Sequence, residues 1–237
     1  MILNIYKDSF EYSAQKPSSL IKLGIINCLF FLVFPIFLQL GYVYRINKIA
    51  VNGMIEGNDQ LADFSDLISM FVDGLKVFLV YIIYLIIPFL ILILSLFLAA
   101  YSPIALLGIF IALILAIIAY FLSLISIPHM AKCDDNFKSA FDVKELFKIL
   151  RSISILRFIL FYIGLMIINS FIFSIALSVL FFAFSFLGIG MSFLNPYVGG
   201  GVFFGGLILS GIIIGFLVTP YLSIFNSRAV GLIYNLR

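Results

Sequence analysis

The sequence predicts an all-α protein, a polytopic transmembrane bundle of about five apolar spans with two or three interfacial amphipathic helices. The composition is the first reason: 64% of the residues are hydrophobic and 11% are charged, against roughly 45–50% and about 25% in soluble domains. The second reason is that no Asp, Glu, Lys or Arg occurs between Lys76 and Lys132, or between Arg157 and Arg228. One spanning helix needs roughly 20 apolar residues, so each of these stretches can hold two spans.

Seven consecutive segments make up a single predicted membrane domain. In chain order they are an N-terminal interfacial segment (1–19), span 1 (20–44), interfacial segment A (45–76), spans 2 and 3 (77–127), interfacial segment B (128–157), spans 4 and 5 (158–225) and a tail (226–237). Segment A with spans 2 and 3, and segment B with spans 4 and 5, both consist of an interfacial helix followed by two spans. A tandem duplication with both units running in the same direction is therefore one interpretation.

Span 1 leaves two alternatives open. Lys and Arg concentrate in segments A and B and the tail, which the positive-inside rule assigns to the cytoplasm. Five simple spans then leave Lys7, Lys16 and Lys22 outside, whereas a re-entrant hairpin bent at Pro35 keeps every basic residue inside. Because residues 20–44 are long enough to cross a bilayer, we predict five spans.

The residues that follow Asn58, a plausible N-cap, predict an amphipathic helix. At 100° per residue its acidic side chains lie within about 80° of one another; they are Asp59, Asp63, Asp66 and Asp73. Hard divalent cations prefer carboxylate oxygens, but the spacing lacks the order of a calcium loop. We therefore interpret these residues as a solvated interfacial face and predict no metal site.

Segment B predicts a second amphipathic helix. Its apolar stripe is Val143, Leu146, Phe147, Leu150 and Ile153. The alternation of this stripe with charged side chains is typical of a helix lying at an interface.

Span 5 carries the small-residue spacing that lets helices pack closely. Its four glycines are Gly201, Gly205, Gly211 and Gly215. The favoured interpretation is helix packing inside the protein. A homodimer face, or a sliding surface in a moving transporter, is the alternative.

Catalytic and cofactor motifs are missing from the sequence. His129 is the single histidine, Cys28 and Cys133 offer no metal spacing, and spans 2 to 5 contain no Asp, Glu, Lys, Arg or His, the residues that usually mark ion or proton paths in a span. No P-loop or nucleophile elbow occurs, and no basic block suits nucleic acid. Hence we expect no enzymatic activity, no cofactor and no nucleic-acid partner. The polar residues of the spans (Asn27, Gln39, Asn169 and Thr219) are expected to bond between helices rather than contact a substrate.

Several motifs resemble the family catalogued as domain of unknown function 4013. They are Gly41-Tyr42-x-x-Arg45, Asp63-Phe64-Ser65-Asp66, Phe71-Val72-Asp73-Gly74-Leu75-Lys76, Tyr84 and Pro88, Ala140-Phe141-Asp142, and the Ala229–Tyr234 tail. Ala62 and Leu67 stand where the family has a proline and an aromatic residue. The resemblance implies a multi-pass membrane protein of archaea or bacteria, and it implies no catalytic residue.

Three functions remain open. We favour a non-enzymatic scaffold or complex subunit in the cell membrane, whose interfacial helices dock a membrane or cytoplasmic protein partner. The alternative is a permease-like carrier of a neutral or lipidic substrate, which requires a polar cavity lined by Asn169 and its neighbours. A lipid-modifying enzyme that uses the interfacial carboxylates is the third, and it requires those carboxylates to converge.

Overall fold

The fold was described from a computed structural model, which covers residues 1–29, 31–57, 59–99 and 102–236. Within these ranges the protein is all-helical, as predicted. Its α-helices are α1 (Ile2–Ser13), α2 (Pro17–Cys28), α3 (Val33–Asn52), α4 (Leu67–Leu98), α5 (Ile104–Lys132), α6 (Val143–Ile153), α7 (Ile155–Ser192), α8 (Pro196–Ile213) and α9 (Thr219–Tyr234). A 3₁₀ turn covers Phe137–Phe141, and a π-helical turn, Ile214–Val218, joins α8 to α9. Asn58, Arg237 and part of the predicted link between spans 2 and 3 lie outside the described residues.

Among the described residues, four helices are long and apolar enough to cross a membrane. They are α4, α5, α7 and the continuous helix Pro196–Tyr234, and their best windows have mean hydropathies of 2.4 to 3.1. Only 6–17% of the residues in these windows are buried inside the protein. The remaining apolar surface of these helices is stable only in contact with lipid, because exposing so large an apolar area to water is unfavourable. The protein is therefore membrane-embedded, and these helices contain predicted spans 2 to 5.

The segment predicted as span 1 is a helical hairpin rather than one continuous helix. α2 runs antiparallel to the last membrane helix, because Leu23 belongs to the same buried cluster as Ile224, whereas Asn27 donates to the carbonyl of Gly215 (3.3 Å). α3 runs parallel to it, because Asn47 donates to the carbonyl of Ser227 and Ala50 contacts Gly231. Both ends of the hairpin thus lie beside the basic segments, as in the re-entrant alternative.

The hairpin turns between Cys28 and Val33, and not at Pro35 as that alternative supposed. Pro35 lies in the first turn of α3. A proline is tolerated there because its missing N–H would have no partner within the helix. Pro35 therefore begins the returning helix instead of bending it.

The main buried core lies at the charged end of the bundle. Side chains from α1, α6, α7 and α9 form one cluster, which includes Ile5, Leu146, Phe161, Phe225 and Leu232. The predicted segment B helix is α6, whose buried face is Leu146, Ile149 and Ile153 and whose N-cap Asp142 accepts from the Glu145 N–H. Segment B therefore packs beneath the spans as an amphipathic element.

The predicted segment A helix is wrong over its first half, because residues 59–66 have no helical structure and α4 begins at Leu67. Side chains from elsewhere bind the backbone of this stretch, so the bonds of a helix are not needed. Arg45 donates to the carbonyls of Ser65 and Asp66, and Tyr42 donates to that of Ala62. Gln15 donates to the carbonyl of Asp59 and accepts from the Leu61 N–H. The acidic residues therefore do not form one helical face.

Candidate functional site

A cavity of about 310 Å³ lies between α3, α4, α5, α7 and α9. Its walls combine aliphatic side chains with amides and hydroxyls, and no charged side chain or histidine is among its described lining residues. The polar lining residues are Gln39, Tyr44, Asn47, Tyr81, Tyr120, Tyr162, Asn169, Ser223, Asn226 and Ser227. Apolar walls with a few convergent polar groups are typical of a small-molecule site.

The cavity reaches into the hydrocarbon region. On α5 its walls run from Ile127 to Tyr120, which at 1.5 Å per residue lie about 7 Å and about 18 Å inward of Lys132. On α7 they run from Tyr162 to Asn169, which lie at the same depths relative to Arg157. The hydrocarbon core is about 30 Å thick, so the deepest wall residues approach the middle of the membrane.

Three buried polar atoms of the lining have no hydrogen-bond partner in the described protein. They are Asn47 Oδ1, Asn169 Oδ1 and the Tyr162 hydroxyl. Asn47 is 3% exposed and Tyr162 is 7% exposed. An unpaired buried polar group costs about 1–3 kcal/mol. The residues that line the cavity thus keep hydrogen-bonding capacity that the described protein does not use.

The two ends of the cavity differ. Near the basic side it is closed by Tyr44, Asn47 and Ser227, all of which are buried. Toward the lipid its wall includes Tyr120, which is 50% exposed, and Met166, which is 68% exposed. The accessible side of the cavity thus faces the bilayer between α5 and α7.

An acidic side chain holds the closed end in place. The Tyr44 hydroxyl donates to Asp135 Oδ1 (2.7 Å), and the Lys48 ammonium donates to Asp135 Oδ2. Burial raises the pKa of Asp135, but the hydrogen bonds from Lys48 and Tyr44 outweigh it and hold the pKa below its ordinary value of 3.8. Asp135 is therefore ionised when it ties α3 to the loop after α5.

We expect Asp135→Asn to lower the stability of the protein at neutral pH by about 1 kcal/mol, since Lys48 is partly exposed and its ion pair is screened. A depressed native pKa contributes stability above the unfolded pKa, and that contribution is lost as the pH falls through the native pKa. The difference between wild type and variant should therefore shrink between about pH 5 and about pH 2. Thermal unfolding in one detergent across this range measures it.

Asp134→Asn is the matched control. Asp134 is exposed and, like Asp135, has a positive φ, which asparagine tolerates as well as aspartate does. A stability difference for Asp135→Asn that stays constant down to about pH 2 would contradict the ionic role.

The polar residues predicted within the spans have different partners. Asn169 donates to Asn226 Oδ1 on α9 (2.8 Å), so it bonds between helices as expected, but it also lines the cavity. Asn27 bonds across to the π turn, whereas Thr219 donates to Ile214 of its own helix. Gln39 is a cavity residue. Asn169 thus both bonds between helices and lines the cavity.

The four predicted acidic residues separate in the structure. Asp59 pairs with Arg228 (2.7 Å), and Asp63, which is exposed, pairs with Lys16 (3.3 Å). Asp66 caps α4 by accepting from the Ser69 N–H (3.1 Å). Asp73 lies within 4.0 Å of Arg45 and 3.9 Å of Lys76. Each has its own partner, so together they form no cation site.

A buried ion cluster was missed in the sequence. The Arg228 side chain is 0% exposed and donates to Asp8 Oδ1 (2.8 Å) and Asp59 Oδ2 (2.7 Å). Its guanidinium also lies 4.6 Å from the centre of the Tyr12 ring. The cluster joins the N-terminal helix, segment A and α9, so its role is structural.

His129 lies in α5 and is 8% exposed. Its Nδ1 is 2.9 Å from the Tyr234 hydroxyl, and its Nε2 is 3.8 Å from the sulfur of Cys133. α5 continues through Pro128 to Lys132, which brings the histidine beneath α9. This contact connects the ends of α5 and α9.

The glycine stripe does not pack inside the described protein, so the favoured interpretation of Gly201, Gly205, Gly211 and Gly215 is wrong. A Cβ at any of the four would meet no other described atom within 4 Å. Instead, Gly199 and Gly206 lie against Ser192 and Phe184 of α7. The glycines that pack thus lie on a different side of α8. The homodimer face stays a prediction.

A family model described as "Protein of unknown function (DUF4013)" matches residues 26–182. This range covers well over half of the chain. The protein belongs to this family. No curated protein and no solved structure matches it.

The DUF4013 match includes most of the cavity wall. It covers the lining residues of α3, α4, α5 and α7 but ends before α9. α9 supplies Ser223, Asn226 and Ser227, together with the buried Arg228. The cavity of this protein is therefore completed by a helix outside the matched range.

Proposed function

We propose that the protein binds an uncharged molecule in the central cavity and carries it within the membrane. The observation that supports this most directly is that three residues lining one cavity, Asn47, Asn169 and Tyr162, each keep a buried polar atom with no hydrogen-bond partner in the described protein. Hydrogen bonds from a ligand would remove the cost of leaving these groups unsatisfied. The cavity thereby favours the carrier over the scaffold that the sequence suggested first.

The lining also indicates the charge of the ligand. A charged ligand would need an opposite charge, because an unpaired ion is strongly disfavoured away from water. The described walls supply amides and hydroxyls instead. This chemistry favours an uncharged ligand and disfavours coupling to a proton through a carboxylate in the cavity.

Tyr162→Phe tests the proposal, because it removes a hydroxyl that has no partner in the described part of the protein. We expect the unliganded protein to keep its thermal stability or gain up to about 1 kcal/mol, since an unsatisfied group is removed. We expect the ligand to bind about tenfold more weakly, which corresponds to one lost hydrogen bond of about 1.4 kcal/mol. Native mass spectrometry of protein extracted gently with its lipids measures the retained ligand.

Tyr197→Phe is the control, because Tyr197 is 91% exposed and does not line the cavity. Equal ligand retention by the wild type and both variants would contradict the proposal. So would a strong loss of stability in Tyr162→Phe, because the hydroxyl would then have a structural role.

A scaffold or complex subunit is the second candidate, and α6 is the observation that favours it. Val143 and Phe147 of this helix are 44% and 42% exposed, beside exposed Lys148 and Arg151. Such a surface suits a cytoplasmic or membrane protein partner. Stoichiometric recovery of a second protein, with no bound small molecule, would support this candidate over the carrier.

We propose a non-enzymatic role in the cell membrane under either candidate. The carboxylates that a lipid-modifying enzyme would use are held apart, since Asp66 caps a helix and Asp73 lies between two cations. A general acid and base must both reach the reacting atoms. This separation gives the enzymatic alternative no support.

A further inference from the structure

We infer that the ligand is a lipid with an uncharged, hydroxylated headgroup, which enters the cavity sideways between α5 and α7. This inference rests on the proposed function and adds the class of ligand and its route. It follows from three features: the exposed rim of the cavity, a groove that continues from the rim, and the hydrogen-bonding chemistry of the walls.

The route is set by the exposed rim. Met166 belongs to the cavity wall and also to a shallow groove on the outer face of α7, which Ile167, Ser170, Phe171 and Ser174 complete. Ile167 and Phe171 are 63% and 65% exposed. A chain that leaves the cavity past Met166 therefore runs along α7 in the hydrocarbon region. An acyl chain fits this surface, because lipid tails are the surrounding solvent.

The headgroup chemistry is set by the unpaired atoms. The two amide oxygens accept hydrogen bonds, and the Tyr162 hydroxyl both donates and accepts. Hydroxyl groups of a glycerol or sugar headgroup match all three, because each hydroxyl also donates and accepts. A phosphate offers mainly acceptors and would find no cation in the described lining. An ammonium would find no carboxylate there.

The depth of the cavity supports the same choice. Its walls lie about 7 Å to about 18 Å inward of the basic residues, so a headgroup that binds there leaves the interface. Moving a charge to this depth is costly, whereas hydroxyls that regain hydrogen bonds lose little. An uncharged headgroup can thus move inward while its chain stays among the lipids.

Two single-chain oleoyl lipids that both end in a glycerol with two free hydroxyls provide the test. 1-Monooleoylglycerol is uncharged, whereas oleoyl lysophosphatidylglycerol carries a charged phosphate and a second glycerol between the chain and that terminal diol. The full chain is titrated with each by native mass spectrometry in an amine-oxide detergent, because sugar-headed detergents would compete. We expect one bound monooleoylglycerol per chain, at least tenfold tighter binding than the phosphate lipid, and no binding of free glycerol.

Met166→Trp tests the route, and Val179→Trp is the matched control. The two residues are 68% and 62% exposed on the same helix, and Val179 lines neither the cavity nor the groove. We expect the first variant to weaken monooleoylglycerol binding at least fivefold and the second to leave it unchanged, with equal thermal stability.

Equal binding of the two lipids would contradict the inference that the ligand has an uncharged headgroup. Binding of free glycerol that is sensitive to Tyr162→Phe but indifferent to Met166→Trp would overturn the lipid route and leave the proposed function intact. If no uncharged probe binds, the inference and the proposed function fail together.

Discussion

Arg228→Met is expected to lower the free energy of unfolding by about 3–5 kcal/mol, the usual cost of removing one partner of a buried ion pair. The arginine side chain is 0% exposed and pairs with Asp8, which is 5% exposed, and with Asp59. Methionine keeps much of the apolar volume but leaves two carboxylates without their cation. Thermal unfolding of detergent-purified protein, together with the yield of folded protein, measures the loss.

Two further variants separate the ion cluster from packing. Arg151→Met alters an exposed arginine of α6 and should change stability by no more than about 0.5 kcal/mol. Adding Asp8→Asn and Asp59→Asn to Arg228→Met should recover part of the loss, because the unpaired charges are then removed. A loss that does not recover at all would point to stacking of the arginine guanidinium over the Tyr12 ring.

The position of Arg228 explains why it was missed in the sequence. It follows a long charge-free stretch, so it reads as the first residue of a cytoplasmic tail. Its partners Asp8 and Asp59 lie far away in the chain. No local periodicity connects such residues, and only the tertiary fold brings them together.

The spans were predictable because their physical signal is local. A charge-free stretch of sufficient length has few stable alternatives to a membrane helix, and α4, α5, α7 and the last helix follow that rule. Residues 59–66 were not predictable in this way, since a helical period is present there. Tertiary hydrogen bonds from Arg45 and Tyr42 outweigh it.

The cavity was only partly predictable. Gln39 and Asn169 stand out in the sequence as polar residues in apolar spans, and both line it. Asn47 and Asn226 do not stand out, because each lies close to basic residues in the sequence. The hairpin of α2 and α3 draws Asn47 inward beside Ser227, so the convergence depends on a topology that local pattern left open.

Gly74→Ala is expected to lower stability by about 3 kcal/mol or more, at or above the upper end of the usual cost of overpacking. α3 and α4 cross with their backbones in contact: a Cβ at Gly74 would overlap the carbonyl oxygen of Phe37, and one at Gly41 would overlap that of Met70. Backbone atoms cannot rotate away as a side chain can, so the helices must separate. Thermal unfolding measures the cost. Separation should also weaken ligand binding, because Tyr44 and Val77 line the cavity from these two helices.

Gly205→Ala provides a control of opposite sign. A Cβ there meets no other described atom within 4 Å, and alanine is favoured over glycine inside a helix by up to about 1 kcal/mol. We therefore expect unchanged or higher stability, although the small-residue spacing in the sequence suggested otherwise. A marked loss in Gly205→Ala would mean that the stripe packs against a second copy of the chain. A fall in the mass of the native complex would then accompany it. The two substitutions thus distinguish Gly74, which is needed for close packing of two helices, from Gly205, whose sequence spacing alone suggests such packing.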